Sequence, residues 1–273
     1  MPNQPASAVT DVVSGIALTR CEPPVGVPVG ENPIVFVHGG CHGAWCWSDW
    51  QSWFAARGRG SIALDWLSHG SSRRIDEGDW LERPITAVAE DIETAVEVAV
   101  AAYGAEPIVV GHSMGGLASL AYASTTARTL AALALLTPVV PRAFAGAPID
   151  IEVDMTQPWG PPPPDVARQM FYSGADDIAA ERYFSLLQPE SPAAVWQATR
   201  WTAEVDVTQV RAPAVVVAAK NDLLVPAESV RALGRALGAH EIVLANAGHG
   251  VCIDPGWESL AAEIEAWLVE ATR

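Results

Sequence analysis

Pro107-Ile108-Val109-Val110-Gly111-His112-Ser113-Met114-Gly115-Gly116 is the stretch on which the reading of the chain turns. A short apolar run, Ile108 to Val110, meets a serine held between glycines, and a helical pattern follows through Leu117, Leu120 and Ala121. Gly-x-Ser-x-Gly in that setting predicts a strand turning sharply into a helix, with the serine at the strained apex. Small residues on both sides let strand and helix approach closely enough for such a turn. The helix N-terminus beneath the serine offers free backbone N–H groups and the positive end of a dipole to a developing oxyanion. Ser113 is therefore the candidate nucleophile, and every other segment is read for what it supplies to that serine.

The sequence holds 273 residues, half of them hydrophobic, enough for one large core of the α/β kind. A formal net charge of −16 argues against a nucleic-acid partner, because phosphate binding needs clustered Lys and Arg. The longest apolar runs, such as Leu130–Leu136, fall far short of the ~20 residues that span a bilayer, so no membrane partner is expected. Met1–Arg20 lacks a basic region followed by a long apolar one, which argues against a signal peptide. Four cysteines (Cys21, Cys41, Cys46 and Cys252) in so long a chain do not make a disulfide framework. The expectation is a cytoplasmic protein with free thiols, whose oligomeric state the sequence leaves open.

Outward from Ser113, strand and helix patterns alternate. Met1–Thr10 reads as a loose polar lead, Val12 to Leu18 as a first strand and Pro23–Asn32 as a loop. Ile34-Val35-Phe36-Val37 lacks polar alternation, as expected of a strand buried on both faces of a parallel sheet. It ends in the glycine-rich His38-Gly39-Gly40-Cys41-His42-Gly43. Trp45, Trp47, Trp50 and Trp53 follow; as a group they read better as the anchor of a helix on the sheet than as a ligand platform, with Trp45, nearest the loop, as the exception. Ser61–Asp65 is the next strand, Ile85–Ala102 a helix with apolar residues at 88, 92, 96 and 100, and Leu130–Leu136 another buried strand. After the change of character at Pro141 the same alternation resumes with strands at Ala214–Ala218 and Glu241–Leu244 and helices at Ala227–Leu237 and Glu258–Glu270. The pattern implies a doubly wound, mostly parallel sheet with right-handed crossovers. Between 141 and 209 there are clustered prolines, short helical patterns and scattered large side chains, among them Met155, Trp159, Phe171 and Trp201. That composition describes an inserted helical lid rather than a disordered linker. The domain reading is thus a core of 1–140 and 210–273 interrupted by a lid of 141–209.

A serine hydroxyl needs a base within hydrogen-bond reach, itself oriented by a third group. In an open α/β sheet such groups gather at the carboxyl ends of the strands. Of six histidines, His249 sits just past the last predicted strand in Ala247-Gly248-His249-Gly250, a loop able to present a side chain inward. His240 lies at the opposite end of that strand, and His112 should point away across the turn. Asp222 ends the preceding strand in Ala218-Ala219-Lys220-Asn221-Asp222, which makes it the orienting acid. Asp254, later than His249, is the rival, with capping or solvation as its better explanation.

The Gly-x-Ser-x-Gly turn with serine, acid and histidine in that order resembles the α/β-hydrolase-fold enzymes over nearly the whole chain. The segment His38-Gly39-Gly40-Cys41-His42-Gly43-Ala44-Trp45 is similar to the plant methylesterase and hydroxynitrile lyase branch, whose members carry His-Gly-x-Cys-His-Gly-x-Trp there. Geometry together with this resemblance implies an oxyanion hole made by the backbone N–H groups of Met114 and Gly40. Cys41 beside that loop, with Trp159 and Trp201 of the lid, are candidate walls of a mainly apolar substrate pocket. His38 is expected to shape the loop by hydrogen bonding.

The resulting function is cleavage of a carboxylic ester, lactone or thioester of a small, largely apolar molecule through an acyl-enzyme on Ser113. A carbon–carbon bond hydrolase with the same triad and a non-catalytic small-molecule receptor on the same fold are the alternatives. The lyase chemistry of the resembling branch uses a threonine after the loop histidine and a lysine after the catalytic one; Gly39 and Gly250 stand there and do neither job. Ser113 likewise argues against dehalogenases and epoxide hydrolases, which use an aspartate nucleophile. Cys41, His42 and Cys46 have no second ligand pair near them, so no metal is expected. No phosphate-binding glycine loop of the dinucleotide type is present, and no cofactor is expected.

Overall fold

The computed structural model describes residues 8–27, 30 and 32–272. β1 (Ala8–Val13) and β2 (Ile16–Cys21) form an antiparallel hairpin with Val13 opposite Ile16. Ser14 and Gly15 turn it, both at positive φ, as a two-residue hairpin loop demands. The single strand expected over 12–18 is therefore two strand ends and a turn. Apolar Val12, Val13 and Ile16 flank a turn too short to interrupt the run. Ala8–Thr10, read as part of a loose lead, belong to β1; the rest of that lead, with part of the following loop, lies outside the described residues.

From there the chain runs β3 (Ile34–Val37), α1 (Ser48–Ala55), β4 (Ser61–Leu64), α2 (Glu77–Leu81) and α3 (Ala89–Tyr103). β5 (Ile108–His112), α4 (Met114–Thr125) and β6 (Ala132–Leu136) follow. An insertion then carries α5 (Pro164–Phe171), α6 (Asp177–Leu186) and α7 (Pro192–Arg200), before β7 (Ala214–Ala219), α8 (Ala227–Leu237), β8 (His240–Leu244) and α9 (Trp257–Ala271). The eight strands form one sheet in the order 1-2-4-3-5-6-7-8, parallel from β4 to β8.

The period of two along each strand explains the layering. Val35 and Val37 face one side with Val109, Leu133, Leu135 and Val216, against Ile92 and Val96 of α3, Leu117 and Leu120 of α4 and Leu233 of α8. Ile34 and Phe36 face the other side with Ile108, Val110, Leu136 and Val217, against Trp47, Trp50 and Phe54 and against Leu260, Ile264 and Leu268 of α9. Each fully buried Leu, Ile, Val or Phe contributes about 1.5–3 kcal/mol, so unbroken apolar strands are the signature of burial on both faces. Trp47 stacks on Phe36 at 4.8 Å, and the Trp50 indole N–H donates to the Cys252 carbonyl at 2.8 Å.

The strand order reverses between β3, whose chain goes next to β4, and β5 on its other side. A crevice opens at the carboxyl ends of the strands at such a switch point. The loop Gly39–Cys41 leaves the end of β3 there, and Ser113 stands at the end of β5.

The insertion has a small core of its own in Ala167, Phe171, Tyr172, Ala175 and Ala180. Asp176 caps α6 by accepting the Ala179 N–H, and Ser191 caps α7 in the same way ahead of Pro192. One short backbone bridge, between Trp159 and Glu190, ties its two halves together.

Candidate active site

Ser113 occupies φ 55°, ψ −122°, between the last residue of β5 and the first of α4. A non-glycine residue there is strained by about 1–3 kcal/mol and persists only where its surroundings hold it. Here the Ser113 N–H donates to the Leu136 carbonyl at 3.0 Å, and its carbonyl accepts the Val139 N–H at 2.9 Å. A Cβ at position 115 would fall 2.1 Å from the His38 carbonyl oxygen, so the close approach of α4 to the end of β3 requires glycine there. These contacts account for the small residues around the serine.

The hydroxyl meets a continuous chain of polar groups. His249 Nε2 lies 2.8 Å from Ser113 Oγ, and His249 Nδ1 lies 2.8 Å from Asp222 Oδ2. The other Asp222 oxygen accepts the N–H groups of Leu224 and Val225 at 2.8 and 2.9 Å, which fixes the carboxylate. Nδ1–H therefore donates to Asp222, and the lone pair of Nε2 faces the hydroxyl. This arrangement can take a proton from Ser113 and return it to a departing group. The His249 carbonyl accepts from His112 Nε2–H at 2.9 Å and from the Thr137 hydroxyl at 3.1 Å. His112 thus lines the cavity beside Ser113 but commits its Nε2 to the loop that carries His249, which it braces.

The loop after β3 lies against this serine. His38 Nδ1–H donates to the Gly39 carbonyl at 2.8 Å, and His42 Nδ1–H donates to the Gly40 carbonyl at 2.7 Å. Burial holds both imidazoles neutral, with His42 pushed down to about 4 and His38 also well below the usual histidine range. Among the described residues, neither the Gly40 N–H nor the Met114 N–H donates to another protein group. Gly40 also packs directly on the end of the Met114 side chain, which would have to shift to admit a Cβ there. Two open N–H groups beside a serine on a strained turn can stabilise an oxyanion.

A cavity opens over the serine, the concave and mostly apolar kind of site that small molecules occupy. Val139, Ile149, Ile151, Met170, Phe171, Val195, Trp201 and Leu224 give it an apolar wall, with Cys41 and Trp159 beside them. All three pocket residues expected from the sequence line it. Ile149, Ile151 and Val195 were missed, because an isolated aliphatic in a proline-rich or helical stretch carries no signal that distinguishes wall from core. Trp45 is half-buried against the core layer of Phe36 and Trp47 and stacks on His42 and on Tyr183 of α6 at 5.4 and 5.8 Å; like Trp47, Trp50 and Trp53 it does not line the cavity, so it is not the exception expected.

Asp254 differs from its expected capping or solvated role. It is buried, and its Oδ2 accepts the Gly174 N–H at 3.0 Å, joining the insertion to the loop after His249. Burial raises its carboxyl to about 6. It makes no hydrogen bond to His249, whose Nδ1 is taken by Asp222.

Glu190 also went unnoticed in the sequence, 149 positions from the residue it holds. Its Oε2 accepts the Cys41 N–H at 3.2 Å and faces His69 Nε2 at 3.1 Å, while Oε1 accepts the Ser191 N–H at 2.8 Å. Burial disfavours charge on both partners, but the pairing outweighs it, so the imidazole is shifted up and the carboxyl down.

The comparisons agree with this architecture. A probable esterase, PIR7A, of Oryza sativa subsp. indica is 42% identical over 98 residues, 34% of this chain and 34% of that protein, so the alignment spans about a third of its length. A 2-hydroxy-6-oxo-2,4-heptadienoate hydrolase of Pseudomonas putida is 25% identical over 244 residues, 82% of this chain and 84% of that one. The crystal structure of the Paleococcus ferrophilus monoacylglycerol lipase superposes with a TM-score of 0.72 at 19% identity, covering 94% of this chain and 99% of the lipase. The profile of the alpha/beta hydrolase family matches residues 34–261, and with most of its length inside that match the chain belongs to the alpha/beta hydrolase family.

Proposed function

We propose that the protein hydrolyses a carboxylic ester of a small, largely apolar molecule through an acyl-enzyme on Ser113. The observation that carries this is the unbroken chain from Ser113 Oγ through His249 to Asp222 at the floor of an apolar cavity. As Oγ attacks the ester carbon, His249 Nε2 takes its proton. Asp222 keeps the imidazole in the right tautomer and stabilises the imidazolium. The carbonyl oxygen, now an anion, receives the N–H groups of Gly40 and Met114, each worth roughly 2.7–4 kcal/mol at the transition state. His249 then protonates the leaving alkoxide. Water enters and gives a proton to His249 as it adds to the acyl carbon, and the acid departs as His249 returns that proton to Ser113 Oγ.

The insertion, residues 141–209, acts in this reading as a lid that walls the pocket. The cytoplasm suits a protein whose four cysteines are all unpaired and buried. Among the described residues no helix is long and apolar enough to cross a membrane. The esterase names among the relatives support ester cleavage. The relative from Pseudomonas favours the second reading, carbon–carbon cleavage. Its named substrate is a carboxylate, however, and the cavity wall here contains no lysine or arginine to meet one. A neutral ester fits the wall better.

Turnover of p-nitrophenyl butyrate with a fluorophosphonate adduct mapped to Ser113 by peptide mass spectrometry tests the proposal. The Ser113→Ala variant should stay folded, lose turnover and lose the adduct. Turnover retained in that variant, or an adduct on another residue, rejects it. A native protein that binds such esters without turning them over is the receptor of the third reading.

A further inference from the structure

Between α6 and α7 the insertion passes directly behind the loop that follows β3. The Gln188 N–H donates to the Cys41 carbonyl at 3.0 Å, and the Cys41 N–H donates to the Glu190 carboxylate at 3.2 Å. Both backbone groups of Cys41 are therefore held by a stretch of three residues from the insertion. The Gln188 side chain adds two further ties, to the His42 carbonyl at 2.7 Å and to the Gly70 N–H at 3.0 Å. We propose that Glu190, anchored by His69, is a positioning residue that fixes the Gly40–Cys41 peptide and thereby aims the Gly40 N–H at the oxyanion. This inference rests on the ester-hydrolase reading above.

The reason lies in the softness of the loop. Gly39 and Gly40 are adjacent and have no Cβ to restrict them, so the direction of the Gly40 N–H is set by whatever fixes the peptides on either side. On one side the Gly39 carbonyl is held by His38. On the other, the Gly40–Cys41 peptide is gripped at its oxygen by His42 and at its nitrogen by Glu190. Cys41 itself sits at φ 61°, a conformation that a side-chain-bearing residue adopts only when held. Releasing the Glu190 contact frees that strained residue to relax, and the Gly40 N–H turns with it.

Glu190 is in turn difficult to displace. Its side chain is 2% exposed and that of His69 1%, and the pair is closed by the Ser191 N–H on the other carboxylate oxygen. Its backbone forms the bridge to Trp159, which lines the cavity. One residue thus connects the pocket wall with the geometry of the oxyanion hole. The insertion is a component of that hole as well as a cover over it.

A positioning role at the oxyanion has a kinetic signature that a strap holding the fold together lacks. Removing a donor outright costs about 10²–10³ in kcat, and one merely misaimed should cost about ten- to hundred-fold. Because the interaction develops only in the transition state, KM should move little.

The test compares native protein, Glu190→Ala and Glu190→Asp with p-nitrophenyl butyrate as substrate and butylboronic acid as transition-state analogue. The boronic acid adds Ser113 Oγ to boron, giving a tetrahedral anion, while the hydroxyl proton passes to His249. Glu190→Asp keeps the charge but is one methylene too short to reach Cys41, so it reports on position even where the alanine variant fails to fold. We expect kcat to fall by about ten- to hundred-fold in both, KM to stay within about twofold, and boronate affinity to fall with kcat. The Cys41 amide should lose hydrogen-exchange protection in both. Folded variants with native kcat, or with a loss confined to KM, overturn the proposal, as does a Cys41 amide as protected as in the native protein. An inactive native protein that takes no fluorophosphonate label instead overturns the hydrolase reading on which the proposal stands.

Discussion

Of two buried carboxylate–imidazole pairs, one meets Ser113 and the other lies behind the loop that follows β3, and they differ in what the second ring nitrogen meets. Asp222 and His249 are 2.8 Å apart, Glu190 and His69 3.1 Å, and all four side chains are almost wholly removed from solvent. Beyond the first pair, His249 Nε2 faces the Ser113 hydroxyl. Beyond the second, His69 Nδ1 faces the Leu67 carbonyl at 3.3 Å, an acceptor with no proton to give. His69 therefore needs a proton on each nitrogen, and the pair is an imidazolium held by a carboxylate. His249 has one nitrogen committed to donating and a lone pair free to accept. The same two functional groups, a carboxylate and an imidazole, give a proton acceptor in one place and a closed ionic clamp in the other.

The largest effect that tests this contrast is on the reactive pair. Asp222→Asn leaves the shape intact but offers an amide to His249 Nδ1, which favours the wrong tautomer. Turnover of p-nitrophenyl butyrate should fall by roughly 10⁴, the size found for the equivalent change in a serine protease triad. Asp254→Asn, which alters a carboxylate without contact to His249, should change turnover by less than about tenfold. The opposite ranking would break the assignment of the acid.

The clamp is tested next, through stability. Glu190→Ala leaves the His69 imidazolium buried without a partner, a change worth about 3–5 kcal/mol at its fullest, read as a shift in urea unfolding. The raised His69 contributes stability that is complete below 6.5 and lost as pH rises through its folded value. The lowered Glu190 contributes stability that is complete above 4.5 and lost as pH falls through its folded value. The difference between native protein and variant should therefore be greatest between 4.5 and 6.5 and narrow on either side. A difference that stays flat from pH 4 to 9 would show that the pair is not ionic.

The two pairs were unequally legible in the sequence. His249 and Asp222 each follow a strand, and a parallel sheet brings strand ends together, so local pattern and topology sufficed. Ser113 announced itself by the glycines its turn requires. His69 was visible only as a histidine on a loop, and Glu190 as one acid in a proline-rich stretch, because nothing periodic connects the insertion to the loop after β3. The hairpin at Ser14-Gly15 was hidden for a different reason: apolar residues continue on both sides of a two-residue turn. Pattern reading recovers what backbone geometry dictates. It misses contacts that only the packing of an irregular segment creates.

A third buried carboxylate, Asp254, sharpens the comparison because it has no cation within hydrogen-bond reach. It accepts the Gly174 N–H with one oxygen, and among the described residues the other has no hydrogen-bond partner. Burial dominates there and moves the carboxyl from 3.8 to about 6, opposite in direction to Glu190. The folded state thus binds the proton more tightly than the unfolded chain. Stability is lost as pH rises from 3.8 through about 6, and the loss is complete above that. A shift of that size corresponds to at most about 3 kcal/mol, at 1.36 kcal/mol per pH unit. Asp254→Asn keeps an oxygen for Gly174 and removes the charge, so urea unfolding should show it more stable than the native protein at pH 7.5. The gain should shrink towards zero near pH 4, where the native carboxyl is itself protonated. A gain independent of pH, or a loss at pH 7.5, would mean that the charged form is stabilised at this position and that an imidazolium is not what separates Glu190 from Asp254.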